Sequence, residues 1–129
     1  MTSVLCVGAG GFIGAVLRYG AGLLVPAAEF PLATFLVNLV GAVLIGAVVE
    51  VAERGGALSP NAVLFLKTGL CGGFTTFSTF SLETLNLLEG GQVALGVGYA
   101  AASVVCCIAG VVAGRLLVRT LFVNAGLAE

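Results

Sequence analysis

The residue types and spacing best suited to chemistry occur at residues 69–81, GLCGGFTTFSTFS, inside an otherwise apolar segment. The adjacent Gly72 and Gly73 each disfavour a helix by about 1 kcal/mol relative to alanine. The hydroxyl residues after them compete for backbone hydrogen bonds. The pattern therefore predicts a break in a helix, where freed carbonyl oxygens can coordinate a small hard cation. A continuous helix with a glycine packing notch is the alternative.

Three phenylalanines within this stretch recur at every third position. The spacing predicts that Phe74, Phe77 and Phe80 share one face of a helix. An aromatic ring is negative on its faces and positive at its edges, so edges turned toward a narrow passage would favour an anion. The same spacing is also typical of an aromatic stripe packed against a neighbouring helix.

Polar side chains elsewhere in the apolar segments are few, and each is a candidate for function because polar groups are expensive in lipid. Asn38 offers an uncharged donor that could replace the water around an anion or bond to a neighbouring helix. Glu83 carries a charge that costs about 2.5–3.5 kcal/mol near the middle of a bilayer. The remaining candidates are Arg18, Thr34, Tyr99 and Ser103.

The composition places these residues in a membrane protein. The chain has 129 residues, of which 60% are hydrophobic and 9% charged, whereas soluble domains carry roughly 25% charged residues. A surface this apolar needs lipid as part of its solvent. The net charge of −1 at pH 7 gives no sign of a nucleic-acid partner. The length corresponds to one domain over residues 1–129.

Four segments have the length of a spanning helix, which is about 20 mostly apolar residues. They cover residues 4–25, 31–49, 62–88 and 93–114. The second connection contains Gly55-Gly56 and closes at Ser59-Pro60, which has the form of an N-cap followed by the first helical residue. The sequence therefore predicts an all-α membrane protein with four transmembrane helices, the third of them broken.

Positive charges near the ends of these segments bear on orientation. Arg54, Arg115 and Arg119 lie on the side of both termini, with Lys67 near it, whereas Arg18 lies within the first segment toward the other side. The positive-inside rule then favours cytoplasmic termini by a margin of a few charges. The start of the chain lacks the basic region and cleavage site of a signal peptide, so the first segment is expected to remain in the mature protein.

Glycine pairs and cysteines within the segments are expected to serve packing. Gly10/Gly14, Gly69/Gly73 and Gly110/Gly114 each stand four residues apart, which lets helices approach closely in lipid. The 4 cysteines match no metal or redox spacing, and the chain has no histidine, so free thiols packed as small hydrophobic groups are expected.

Residues 4–14, VLCVGAGGFIG, look like the glycine-rich turn of a dinucleotide-binding domain. That fold needs an acidic residue about 20 positions later, at the end of a strand. The nearest acid, Glu29, lies between two prolines, and no alternation of strands and helices follows. The sequence therefore indicates no nucleotide partner and no enzyme activity.

Three motifs taken together resemble the Fluc (CrcB) family of fluoride channels. They are residues 10–19 (GGFIGAVLRY), residues 35–41 (FLVNLVG) and residues 69–81, followed by Glu83. The resemblance extends over essentially the whole chain, including the number and length of the spans. It implies a fluoride-selective passive channel in a prokaryotic plasma or inner membrane, which exports cytoplasmic fluoride and reduces its toxicity.

The resemblance also implies an assembly and a set of site residues. Two copies are expected to pack as an antiparallel, dual-topology homodimer, with two fluoride pores along their interface. Backbone carbonyls of Gly72 and Thr75 would hold a structural sodium ion (Na+) at its centre. The residues implied along the fluoride pathway are Asn38, Phe77 and Phe80, then Thr34, Glu83, Tyr99 and Ser103, with Arg18 near the pore mouth. Arg18 could instead extend to the lipid headgroups.

Other functional classes stay open at this point. A small four-span proton-coupled exporter of the multidrug-resistance type relies on an acidic residue in the first span, where this chain has only Arg18. A purely structural membrane subunit is disfavoured only through the resemblance. A homodimer and a pair of related chains are both compatible with the sequence.

Overall fold

Helices make up all the regular secondary structure in the described part of the chain. The computed structural model describes residues 1–26, 28–54 and 58–125. In chain order its elements are α1 (Thr2–Leu24), α2 (Leu32–Glu53), α3 (Pro60–Val63), a π-helical stretch (Leu64–Cys71), α4 (Gly72–Phe74), α5 (Phe77–Glu89) and α6 (Val93–Asn124). The all-α prediction is confirmed for these residues. Gly55 and Gly56 of the second connection lie outside them.

Three of the described helices, α1, α2 and α6, are long and apolar enough to cross a membrane. At most 28% of their most apolar windows is buried inside the molecule. Large apolar side chains on α6, such as Val105, Ile108 and Leu117, are 55–65% exposed. Lipid or another apolar surface must cover these side chains, because water would not solvate them favourably.

The third crossing that the sequence predicted consists of consecutive helical segments in the structure. Ser59 caps its start, because the Ser59 hydroxyl accepts a hydrogen bond from the Ala62 N–H at 3.2 Å. Pro60 is the first helical residue, as the sequence predicted. The wider π-helical turns that follow are a form often found near functional sites.

The crossing changes course near its middle. Helix α4 ends at Phe74, and Thr75 and Thr76 then have extended backbone, with φ, ψ of −79°, 159° and −149°, 113°. We call these two residues the break. They lie inside the stretch 69–81 that the sequence singled out.

The break corrects one prediction about the aromatic residues. Phe74 is the last residue of α4, whereas Phe77 and Phe80 belong to α5. The three rings therefore do not share one face of one helix. Two extended residues between Phe74 and Phe77 end the helical periodicity on which that prediction depended.

Glycines set the distance between α1 and the third crossing. A methyl group on Gly14 would overlap the Leu70 carbonyl and would lie 2.7 Å from the Phe74 nitrogen. Gly10 and Gly69 are equally close, since a methyl group on Gly69 would lie 2.9 Å from the Gly10 Cα. The predicted packing role of these glycines is confirmed. The cysteines are free, also as expected, and Cys71 is buried.

Helices α2 and α6 extend beyond the ends at residues 49 and 114 that hydrophobicity predicted. Helix α6 runs to Asn124, so Arg115 and Arg119 lie within it and not after it. Hydrophobicity marks where the hydrocarbon ends, whereas a helix satisfies its own backbone beyond that point. Ion pairs support the extension: Arg119 contacts Glu50 at 2.8 Å, and Arg115 contacts Glu53 at 2.8 Å. We call Glu50, Glu53, Arg54, Arg115 and Arg119 the charged cluster.

Candidate functional site

A groove of about 380 Å³ opens between α2, the break and α6. Its walls bring together six of the ten site residues that the sequence predicted, although they come from α2, α4, the break, α5 and α6. These six are Asn38, Gly72, Thr75, Phe77, Phe80 and Ser103. The other four, Arg18, Thr34, Glu83 and Tyr99, do not line the groove.

Asn38 connects α2 to the break through two hydrogen bonds. Its Oδ1 accepts from the Thr76 backbone N–H at 2.8 Å, and its Nδ2 donates to the Thr76 carbonyl at 3.1 Å. The interhelical bond that the sequence left open as one reading of Asn38 is thus present. An amide nitrogen carries two hydrogens, so one donor remains beside the groove.

Thr76 was not singled out by the sequence reasoning, yet it organises the start of α5. Its hydroxyl oxygen accepts from the Thr79 backbone N–H at 3.2 Å and donates to the Thr79 hydroxyl at 2.9 Å. Threonine is a favoured residue at this capping position. A hydroxyl residue immediately before the helical run at Phe77 was the signal that could have identified it.

Phe77 and Phe80 lie next to each other at the start of α5. Their ring centroids are 5.4 Å apart with a 46° angle between the planes. Phe77 is 77% exposed. Phe80 also contacts Tyr99, at 5.3 Å between centroids. The aromatic contacts therefore lead from the groove to Tyr99.

Thr34, Glu83 and Tyr99 form a second polar group behind Phe80. The Thr34 and Tyr99 hydroxyls each donate to one oxygen of the Glu83 carboxylate, both at 2.8 Å. Tyr99 is fully buried, and its ring and that of Phe30 are nearly perpendicular, with 5.4 Å between their centroids. Both carboxylate oxygens thus have partners, which is what a part-buried charged group requires.

Arg18 approaches the break from the side of α1. Its Nε donates to the Gly73 carbonyl at 3.2 Å. A small cavity of about 150 Å³ is lined by Arg18 together with Thr34, Thr76 and Thr79. The guanidinium is therefore held beside hydroxyl groups and a backbone carbonyl.

Ser103 completes the polar lining of the groove. It is 5% exposed, and its hydroxyl has no hydrogen-bond partner among residues 1–26, 28–54 and 58–125. Buried hydroxyls nearly always have a partner, so this one is suited to a ligand. Within the same ranges no group of three or more His, Cys, Asp or Glu side chains could hold a metal ion.

Comparison with known proteins covers nearly the whole chain. A family model described as "CrcB-like protein, Camphor Resistance (CrcB)" matches residues 5–115. A curated relative from Ruminiclostridium cellulolyticum, named "Fluoride-specific ion channel FluC", is 44% identical over 124 residues, which are 94% of this chain and 95% of the relative. Relatives of the same name from Chlorobaculum tepidum and Agrobacterium fabrum are 48% and 45% identical. They match 92% and 95% of this chain and 96% and 100% of their own lengths.

Proposed function

This chain belongs to the CrcB-like family, and we infer from that premise that it is a fluoride-specific ion channel, a multi-pass membrane protein and not an enzyme. The observation that carries the inference is an identity of 44–48% over at least 92% of the chain with relatives named as fluoride-specific channels. Its place is the bacterial plasma membrane, where it lets cytoplasmic fluoride leave.

The acid chemistry of fluoride explains why a passive channel is sufficient. Hydrogen fluoride crosses a bilayer uncharged and ionises in the more alkaline cytoplasm, where the anion is trapped. The membrane potential, negative inside, drives the anion outward through any selective pore. Export therefore needs neither a nucleotide nor a coupled ion.

The pathway runs from the Glu83 group to the groove. The Thr34 and Tyr99 hydroxyls can exchange their bonds to the Glu83 carboxylate for bonds to a passing fluoride ion. Phe80 and Phe77 then offer ring edges, which attract an anion weakly. The free N–H of Asn38 and the Ser103 hydroxyl add uncharged donors. Weak contacts suit conduction, since an ion that is held tightly cannot leave.

Fluoride efflux from liposomes tests the function. Purified protein is reconstituted with internal potassium fluoride, and release is followed with a fluoride electrode after valinomycin lets potassium leave with fluoride, so that charge balances. A channel releases fluoride in the absence of a proton gradient and retains chloride. Release only under an imposed proton gradient would instead identify the coupled exporter.

Two features support an antiparallel pair of copies. The groove exposes Gly72 and polar backbone at the break, which lipid cannot solvate and a second copy can cover. The two opposite ends of the packed helices also differ in charge. One end carries three positive and two negative residues of the charged cluster, while the other carries Glu29 and Glu89. Antiparallel packing sets unlike ends together, whereas parallel packing sets like ends together.

Labelling from both sides of intact cells tests the homodimer. A single cysteine is placed at Gln92, in the exposed turn before α6, on a background in which the native cysteines are replaced. Mixed insertion predicts that about half of the molecules react from outside with a membrane-impermeant maleimide. Labelling from one side only would contradict the homodimer and indicate a paired chain of opposite orientation.

The break fits a structural sodium ion held between the two copies. Gly72 and Thr75 both line the groove where helix α4 ends, so their carbonyls can act as oxygen ligands for a hard cation. Bound there, the cation would balance the partial negative charges of the carbonyl oxygens from both copies. The ion is proposed to stay in place and not to be transported.

A further inference from the structure

We propose that Asn38 and Thr76 are positioning residues that create the cation site, because their side chains draw two backbone donors away from the Gly72 and Thr75 carbonyls. This proposal rests on the proposed function, in which those carbonyls hold sodium. It assigns to two side chains a role that requires no contact with the ion.

The first diversion concerns the Gly72 carbonyl. In a continuous α-helix this oxygen would accept a hydrogen bond from the N–H of Thr76, four residues later. That N–H instead donates to Oδ1 of Asn38 at 2.8 Å. Because Nδ2 of the same amide donates to the Thr76 carbonyl at 3.1 Å, both polar groups of Thr76 are held outside the helix.

The second diversion concerns the Thr75 carbonyl. In a continuous helix it would accept from the N–H of Thr79. That N–H donates instead to the Thr76 hydroxyl at 3.2 Å. The N-cap of α5 therefore has a second consequence, which is to leave the Thr75 carbonyl without its helical donor.

The carbonyls of Cys71 and Gly73, on either side of Gly72, do not share this freedom. The Cys71 carbonyl accepts from both the N–H and the hydroxyl of Thr75, at 3.0 and 2.9 Å. The Gly73 carbonyl accepts from Arg18 at 3.2 Å. The side chains around the break thus engage the carbonyls on either side of Gly72, whereas the carbonyls of Gly72 and Thr75, to which the sodium ion was assigned on separate grounds, accept no hydrogen bond from the described residues.

Sodium-dependent thermal unfolding of the purified dimer tests the proposal. Sodium chloride replaces N-methylglucamine chloride at constant ionic strength, and the midpoint of unfolding reports occupancy of the cation site. The wild-type midpoint should rise with sodium. Asn38→Leu removes the first diversion, so its half-maximal sodium concentration should increase about 10–100-fold, as expected for residues that orient metal ligands.

A conservative variant separates positioning from folding. Asn38→Asp keeps an oxygen for the Thr76 N–H but loses the donor to the Thr76 carbonyl, so the sodium response should be weakened less than in Asn38→Leu. Its negative charge should nevertheless lower fluoride efflux, since it repels the anion. A residue that served only the fold would change both measurements together.

Substitutions of Thr76 provide an independent arm. Thr76→Val should weaken the sodium response, while Thr76→Ser should restore it because the capping hydroxyl is kept. Thr84→Val is the matched control, since the Thr84 hydroxyl donates at 2.8 Å to the Phe80 carbonyl on the same helix, away from the break. Its sodium response should equal that of wild type.

The outcomes are distinct. A wild-type sodium response in both Asn38→Leu and Thr76→Val overturns the proposal and leaves the sodium site standing. A wild-type protein that conducts fluoride without any sodium response overturns the sodium site itself and this proposal with it. If Asn38→Leu does not fold, the comparison of Thr76→Val with Thr76→Ser decides.

Discussion

Helix α2 contributes to two polar regions, the charged cluster and the break, and the side chains in these two regions form different kinds of hydrogen bond. In the charged cluster, side chains bind side chains: Glu50 is 3% exposed and contacts Arg54 and Arg119, both at 2.8 Å. At the break, side chains bind backbone, because Asn38 contacts the N–H and carbonyl of Thr76.

The difference separates a region for stability from a region for ligands. The charges of the cluster are already paired with one another. The ion pairs therefore join the ends of α2 and α6, and the buried Glu50 carboxylate is occupied by its arginine partners. A side chain that bonds to backbone displaces the helical partner of another backbone group. The break therefore contains available oxygens, which a ligand can use.

The largest effect is expected at the aromatic pair beside the break. Phe77→Ile or Phe80→Ile should lower fluoride flux per dimer by about 100-fold, the scale of losing one preorganised contact in a water-excluded site. The dimer should persist, because an aliphatic side chain still fills apolar volume. Liposome efflux and size-exclusion chromatography on the same preparation measure both quantities. Lost stability with unchanged flux per folded dimer would show that the rings only pack.

The next effect concerns the contact of α1 with the third crossing. Gly14→Ala should destabilise the protein by about 1–3 kcal/mol, since the added methyl group meets backbone atoms of Leu70 and Phe74. Gly20→Ala is the matched control on α1, because no atom lies within 4 Å of its added methyl group. Thermal unfolding in one detergent compares them. Equal midpoints would contradict the close approach of these helices at the break.

A smaller effect is expected in the charged cluster. Glu50→Gln removes the negative partner of Arg54 and Arg119, so the midpoint of unfolding should fall, though by less than in Gly14→Ala, because both arginines are partly exposed and water can solvate them. Fluoride flux per folded dimer should equal that of wild type. A loss of flux comparable with that of Phe77→Ile would erase the distinction between the two regions.

The smallest effect on stability is expected at Ser103. Ser103→Ala removes a buried hydroxyl that has no partner in the described residues, so stability should stay the same or rise by about 1 kcal/mol. Flux should fall, because the groove loses a donor. Unchanged flux would show that Ser103 is not part of the fluoride pathway.

Much of the fold follows from local patterns that a sequence displays directly. The apolar segments predicted the crossings, Ser59-Pro60 predicted the start of the third one, and Gly10 and Gly14 predicted a close helix contact. The ends of α2 and α6 could not be predicted in this way, because Glu50 and Arg119 pair across 69 positions. The shared face of Phe74 with Phe77 and Phe80 was wrong because it assumed one uninterrupted helix.

The sequence by itself determined that this protein is a membrane protein with several spanning segments. It also determined which few polar residues lie within those segments. These properties depend on hydrophobicity and backbone preference, which act over a few neighbouring residues. Only the tertiary structure decided what those residues contact. Asn38 meets Thr76 across 38 positions and Arg18 meets Gly73 across 55. Such partners depend on how helices pack, and it is this packing that determines which carbonyls and donors at the break remain available to ions.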